Sequence, residues 1–398
     1  MKIIRYLLFF FLAIFIAIAI LVTFQFLINT KYSFPVPGVF RGEELYNPYT
    51  GIDSSKWKRA NFHLHTRLPL KLTAGFGNTI QTADSFYKYF DYDIHSISDY
   101  MRINNFNSGS KSYVPVYEHG YSYYKTHQLV LNAHKVCWKE YLFHQTLNDK
   151  QAMIDRIKRD TSVLVTIVHP FLRKGYSTSD FRYLGNYDCL EIANNLATCA
   201  RFYDAALSAG HAVFIMADDD AHDLSKISEG AHSFNIINSD PDRNSILHAL
   251  RTGRSYGVNL NLHGCKTSEE KKAAIDNLPV LREFELKNDT ITVSMNKEVD
   301  SIKFIGQNGI LKKSVAGCRT GSYPFGKEDT YIRTEVIAMD GSICFLNPVI
   351  RYDGSKLPVS DPQINIPETW GCRLLFVVIL FGMIFLIIKY GRCTTGRK

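Results

Sequence analysis

His63 and His65 stand one residue apart in ANFHLH. Alternate residues of a strand point to one face, so both rings can reach a single ion. H-x-H is equally common as a half-buried pair in an ordinary sheet. Further along, HSISDY carries Asp99, VTIVHP ends in His169, CLEIANN carries Glu191, and FIMADDDAHD supplies Asp218, Asp219, Asp220 and His222. Imidazole and carboxylate together suit zinc, manganese or iron. Two such ions can hold a hydroxide between them and stabilise charge on a phosphoryl or acyl oxygen. Consecutive aspartates repel at close range, which a cation relieves; a solvated acidic loop is the plain alternative.

These residues need strands to position them. From 59 to 262, short apolar runs (ANFHLH, YDIHSIS, HQLVLNAHKV, SVLVTIVHP, YDCLEIAN, HAVFIMA) alternate with helical patterns such as KQAMIDRIKRD and TCARFYDAALSAG. Alternation of this kind predicts an α/β fold with a parallel sheet, as a barrel or an open sheet. The polar residues fall at strand C-termini, where the loops of such folds converge. Residues 31–58 read as a turn-rich linker. After 280 the pattern becomes all-β, with REFELK, TITVSMN, SIKFIGQ, YIRTEVIA and SICFLNPVIRY separated by turns, predicting a small sandwich-like domain over 280–353.

Both ends are apolar. Leu7–Leu27 is a run of 21 residues without a charge, long enough to cross a bilayer, within an N-terminal anchor at 1–30. Leu374–Ile388 is shorter. Extended back to Trp370 it admits Arg373, which can snorkel, and it predicts a second crossing over 370–389. Lys2 and Arg5 precede the first run, and Lys389, Arg392, Arg397 and Lys398 follow the second. The positive-inside rule then puts both termini in the cytoplasm and the intervening domain on the periplasmic or extracellular side. The formal charge of +8 owes much to these termini, and no basic stripe interleaved with aromatics suggests nucleic acid. Among eight cysteines, Cys189–Cys199 and Cys318–Cys344 are candidate bridges if that compartment is oxidising, and no C-x-x-C suggests a cysteine zinc site.

Taken in order, N-F-H-L-H-T, I-S-D, Y-E-H-G with a later H-Q-L, H-P, L-E-I-A-N and D-D-A-H resemble the PHP family (polymerase and histidinol phosphatase), metal-dependent phosphoesterases and related hydrolases. The resemblance covers 59–262, and the trailing β segment resembles that of a carbaryl-hydrolase-like membrane or envelope subgroup. It implies a distorted (β/α)7 barrel. It also implies that His63, His65 and Asp220 bind a first metal, that Glu118 bridges to a second, and that His127 and His169 complete it. His222 matches a histidine that usually serves a third metal, and Asp99 the acid of a T-D-H motif.

Two departures accompany the match. Ser98-Asp99-Tyr100 replaces T-D-H, and RLPLKLTAGFG lacks the acid or histidine expected after the first motif. Two divalent transition metals are therefore expected, with Asp99 and His222 as catalytic groups and His222 free for proton transfer. Arg67 is a candidate phosphate clamp, with a surface arginine as the alternative. Glu191 and Asn194 are candidates to hydrogen-bond the ligands. The expected activity is membrane-anchored hydrolysis of a phosphoester, small or lipid-derived. Amide or carbamate hydrolysis, or a degenerate binding protein, would use the same residues.

Overall fold

The structure is a computed structural model that describes residues 2–67, 75 and 77–395. RLPLKLTAGFG, Arg397 and Lys398 lie wholly or partly outside the described residues, as do the side chains of Lys2, Arg5, Arg392 and Cys393. The chain opens with helix α1 (Lys2–Ile28), then β1 (Tyr32–Ser33), β2 (Glu44–Tyr46), β3 (Trp57–Asn61), α2 (Ile80–Tyr89), β4 (Ile94–His95), β5 (Val116–His119) and β6 (Gln128–Leu131). Next come α3 (Leu147–Ile157), β7 (Leu164–Ile167), β8 (Cys189–Ala193), α4 (Ala200–Ser208), β9 (Phe214–Ala217), β10 (Ser233–Asn238), α5 (Arg243–Arg251) and β11 (Ser255–Asn259). The last part holds α6 (Ser268–Asp276), β12 (Leu281–Lys287), β13 (Thr290–Gly306), β14 (Ile310–Pro324), β15 (Tyr331–Ile337), β16 (Ile343–Tyr352), β17 (Gln363–Ile364) and α7 (Ile366–Thr395).

Two sheets frame the interior. One runs β5-β6-β7-β8-β9, and its last three strands pair in parallel. Strands LVTI, CLEIA and FIMA are buried at every position, the continuous apolar pattern of strands covered on both faces. The other sheet runs β12-β13-β15-β16-β11-β10-β3-β4, with β14 on β13 and β2 on β16. At the rim, single bridges stitch the two together: Leu64 with Ala221, and Tyr100 with Glu118. The result is a curled, open half-barrel and not the regular (β/α)7 alternation. β5–β6 and β6–β7 are antiparallel. Only residues 120–127 join β5 to β6, too short a link for the dozen or more residues of a parallel crossover.

The strands after 280 pair antiparallel. β13 pairs with β12 along its first half and β15 along its second, while β14 follows it throughout. Pairing of β16 with β11 joins this segment to the sheet that carries β3. Neither cysteine bridge forms: Cys189, Cys199, Cys318 and Cys344 are free thiols. Cys189 and Cys199 point into different core clusters.

Helices α1 and α7 are each long and apolar enough to cross a membrane, over Tyr6–Ile28 and Ile366–Lys389. They lie antiparallel. Phe24 meets Phe376 edge-on, Arg373 Nε donates to Ile28 O at 3.1 Å, and the β1–β17 pair clamps the end where they enter the domain.

Candidate metal centre

β3 stops at Asn61, but the chain stays extended beyond it, and Leu64 bridges to Ala221. That extension points His63 and His65 into the half-barrel, both buried. Glu118 comes from β5, His127 from just before β6, His169 from just after β7, and Asp220 from just after β9. His169 (φ 30°) and Asp220 (φ 51°) both hold positive φ. Such strain in non-glycine residues persists only where surrounding structure fixes it. Here a Glu191 carboxylate oxygen accepts from His169 N at 2.8 Å, and Asn195 N donates to the neighbouring Asp219 O at 3.2 Å.

The ligand atoms fall into two sets. One atom each from His63, His65, Glu118 and Asp220 lie within 4.8 Å of one another, and so do atoms of Glu118, His127 and His169. In the first set, Glu118 Oε2 is 3.3 Å from His63 Nε2 and 2.9 Å from His65 Nε2, while Asp220 Oδ1 is 3.2 and 3.3 Å from the same nitrogens. Yet all four atoms are buried with no hydrogen-bond partner. They are close without being aimed at one another. Donor spacings of about 3.3 Å are what ligands about 2 Å from one shared ion would show. The other carboxylate oxygen, Oε1, faces His127 Nδ1 at 2.5 Å and His169 Nε2 at 3.0 Å. Glu118 thus presents one oxygen to each set, as a bridging carboxylate does, and the donors suit divalent transition ions.

Protonation favours ligation at the second set. Burial pushes His127 down to about 4 despite Glu118, so its imidazole is neutral near pH 7. Burial works against charge on Glu118, but His127, whose neutral ring donates its Nδ1–H to the carboxylate, and then His63 hold that carboxyl well below the usual range. Behind the first set, His63 Nδ1–H donates to Glu191 Oε1 at 3.0 Å, which fixes the ring with Nε2 aimed at the cluster. Asn194 steadies the same glutamate at 3.0 Å.

The triple aspartate divides its labour. Asp220 faces the ligands. Asp219 accepts from Ala231 N, His232 N, Ser233 N and the Tyr87 hydroxyl, pinning a loop. Asp218 accepts from Phe62 N at 2.6 Å and from Asn235, and burial raises its carboxyl well above the usual value.

The other candidates are placed differently. His222 stands at the mouth with its side chain 27% exposed, and its Nδ1–H donates to Asp220 O at 2.8 Å, leaving Nε2 available. Asp99 is engaged by Thr66 N, Thr66 Oγ1 and Asn104, beside the cluster and outside both ligand sets. Arg67 is exposed, and its backbone N–H donates to Asn78 O. Tyr100 stacks on His65 with ring centres 4.4 Å apart. Lys125 Nζ lies 5.0 Å over the Tyr100 ring, and Arg173, packed over the Tyr123 ring, is near enough for its charge to act on the Tyr100 hydroxyl. Sequence reading passed over Lys125 and Arg173, because no spacing ties them to the ligands.

The fold and site together define a buried carboxylate- and histidine-lined centre fit for two metal ions, in a chain with two membrane-length helices. No family model matches the chain and no curated protein matches it. Among solved structures, one similar protein is a two-domain protein containing a predicted PHP-like metal-dependent phosphoesterase from Bacteroides vulgatus: 12% identity, 78% of this chain, all of that one, TM-score 0.38. Another is PsfC from Pseudomonas syringae: 11% identity, 56% of this chain, 96% of that one, TM-score 0.36. At these scores neither likeness carries an argument, and the reading rests on the chain's own residues.

Proposed function

We propose that this chain is a membrane-anchored, metal-dependent hydrolase of the PHP type, acting on a phosphoester. The observation that carries it is Glu118, whose two oxygens each face a separate buried set of histidines. Residues 59–262 carry the chemistry in this reading, and 280–353 form the accessory β domain. His63, His65 and Asp220 would hold one ion and His127 and His169 the other, with Glu118 between. Divalent ions bound there supply Lewis acidity and lower the pKa of water. Hydrolysis adds water to phosphorus, breaks the ester P–O bond and passes a proton to the departing alcohol. In this reading His222 would move that proton through Nε2, which its bond to Asp220 O leaves free. Lys125 and Arg173 give the mouth a cationic edge, which favours an anionic phosphoester over a neutral carbamate. Both termini would be cytoplasmic, with the hydrolase on the far side.

The test is metal content and turnover of the purified full chain. Two equivalents of transition metal and cleavage of a phosphomonoester or phosphodiester, both lost in His63→Ala/His65→Ala, are expected. A folded, metal-free protein that takes up no added manganese, zinc or iron would overturn the reading.

A further inference from the structure

The domain meets its two apolar helices across a cleft of about 640 Å³, walled on one side by the last turns of α1 and on the other by residues 139–143 and α3. Leu21 to Ile28 extends about 10 Å along the helix at 1.5 Å per residue. The cleft therefore runs from the end of the apolar span into it. Gln25, buried within that span, fixes the arrangement: its side chain accepts from Phe143 N at 3.0 Å and donates to Phe143 O at 3.3 Å. A polar group at that depth must find partners inside the protein. Here the domain's own loop supplies them and is drawn alongside α1. The same loop displays Trp138 (70% exposed) and Leu142 (64% exposed), side chains suited to a membrane interface.

Over this apolar floor sit Lys139, Arg156, Arg159 and Arg373. Lys139 lies over the Tyr141 ring and Arg373 over Trp370. None of the four forms an ion pair among the described residues, whereas Lys150 and Lys158, on and just after the same helix α3, pair with Asp180 and Asp188 at 2.6 and 2.8 Å. The two acids of the cleft are already engaged. Glu140 accepts from Tyr121 N, Tyr141 N and Gln145, and Asp155 accepts from Gln151 and Asn186.

We propose that this cleft binds an anionic glycerophospholipid, its phosphate among Lys139, Arg156 and Arg159 and an acyl chain along Leu21 and Phe24. Cations alone would accept any phosphate. The apolar wall continuous with a membrane-length helix selects one that carries a hydrocarbon chain. The site is built from other residues than the metal centre and stands whether or not that centre hydrolyses anything.

The test uses the full chain in detergent micelles containing equal amounts of phosphatidylglycerol and phosphatidylcholine, with retained lipid read by native mass spectrometry. One phosphatidylglycerol held in more than tenfold preference is expected. Arg156→Ala/Arg159→Ala should erode the preference by about fivefold per arginine, while Arg156→Lys/Arg159→Lys keeps most of it. Equal retention of both lipids by the unaltered chain, which needs no variant to fold, would sink the proposal. So would an unchanged preference in the alanine variant, or release of the lipid by excess inorganic phosphate, which would mark a simple anion site.

Discussion

Two groups of buried charge sit in this molecule, and they are built on opposite plans. Where α4 meets β15, Arg333 donates to both oxygens of Asp204 at 2.7 and 2.9 Å and to Glu335 at 2.5 Å. Every charge there is aimed at its partner. In the metal centre, Glu118, Asp220, His63 and His65 approach within 2.9–3.3 Å and still leave four atoms without a hydrogen bond. The first group is complete as it stands. The second leaves its four ligand atoms facing one another without a hydrogen bond, and Asp220 among them is held on strained backbone. A lone unpartnered atom would not make that case. His211 Nε2 is equally buried and equally unpartnered. What distinguishes the centre is several such atoms facing one another.

The comparison is broken most directly at Glu118. Glu118→Gln keeps the shape but removes the charge that both sets share. Turnover should fall on the order of 10⁴-fold, about 5 kcal/mol at 1.36 kcal/mol per decade, with bound metal dropping below two equivalents by elemental analysis. An unchanged metal content would show that the convergence is coincidental. At the complete group the loss should be one of stability. Arg333→Ala strands Asp204 in the core, and about 3–5 kcal/mol should be lost in thermal unfolding. Replacing Asp204, Arg333 and Glu335 together by apolar residues of similar volume should restore most of it, and metal content should not move. Failure of that rescue would mean the ion pairs do more than satisfy one another.

A finer probe is Glu191, which orients His63 and caps His169 N. Glu191→Gln should weaken metal binding by roughly 10–100-fold while the domain stays folded. An effect on stability but none on metal affinity would reassign Glu191 to the core.

How much of this was legible beforehand follows from geometry. The strands that end in ligands are apolar runs closed by a polar residue, and β7, β8 and β9 fall where SVLVTIVHP, YDCLEIAN and HAVFIMA placed them. His63 and His65 announce themselves by spacing, since i and i+2 share a face. Glu118 and His127 do not. Their pairing depends on an antiparallel hairpin, and only the ordered motifs pointed to them. ILKKSVAGCRTGSYP, which forms β14, carries no apolar rhythm, because it is mostly exposed and Gly321 is its one buried residue. The joining of β16 to β11 is a long-range pairing with no local signal. Arg67 stands out in the sequence by its nearness to the histidines, with a surface arginine as the equal alternative, whereas Lys125 comes to the Tyr100 ring through folding alone.

The smallest effect separates the lone orphan from the convergent set. His211 packs against Tyr187, and its Nδ1 accepts from Ser360 N at 2.8 Å, while Ala212 N donates to Pro358 O at 2.8 Å. These bonds hold the strap that leads into α7. Burial pushes the His211 ring down from 6.5 to about 3, so it stays neutral in the folded protein. Above pH 6.5 neither state binds this proton and stability is indifferent to it. Between pH 6.5 and 3 the unfolded chain takes up a proton that the folded chain refuses, so stability falls as pH falls. The slope is about 1.4 kcal/mol per pH unit, or about 2 kcal/mol between pH 7 and 5. His211→Gln keeps an acceptor for Ser360 N and removes the titration. Thermal unfolding of the full chain should show the unaltered protein losing about 2 kcal/mol more than the variant over that interval. Added metal should leave the difference untouched, because an isolated buried nitrogen answers to protons alone. A difference that vanished on metal loading would mean that the strap and the centre are one coupled system, and the contrast between the two kinds of buried group would fail.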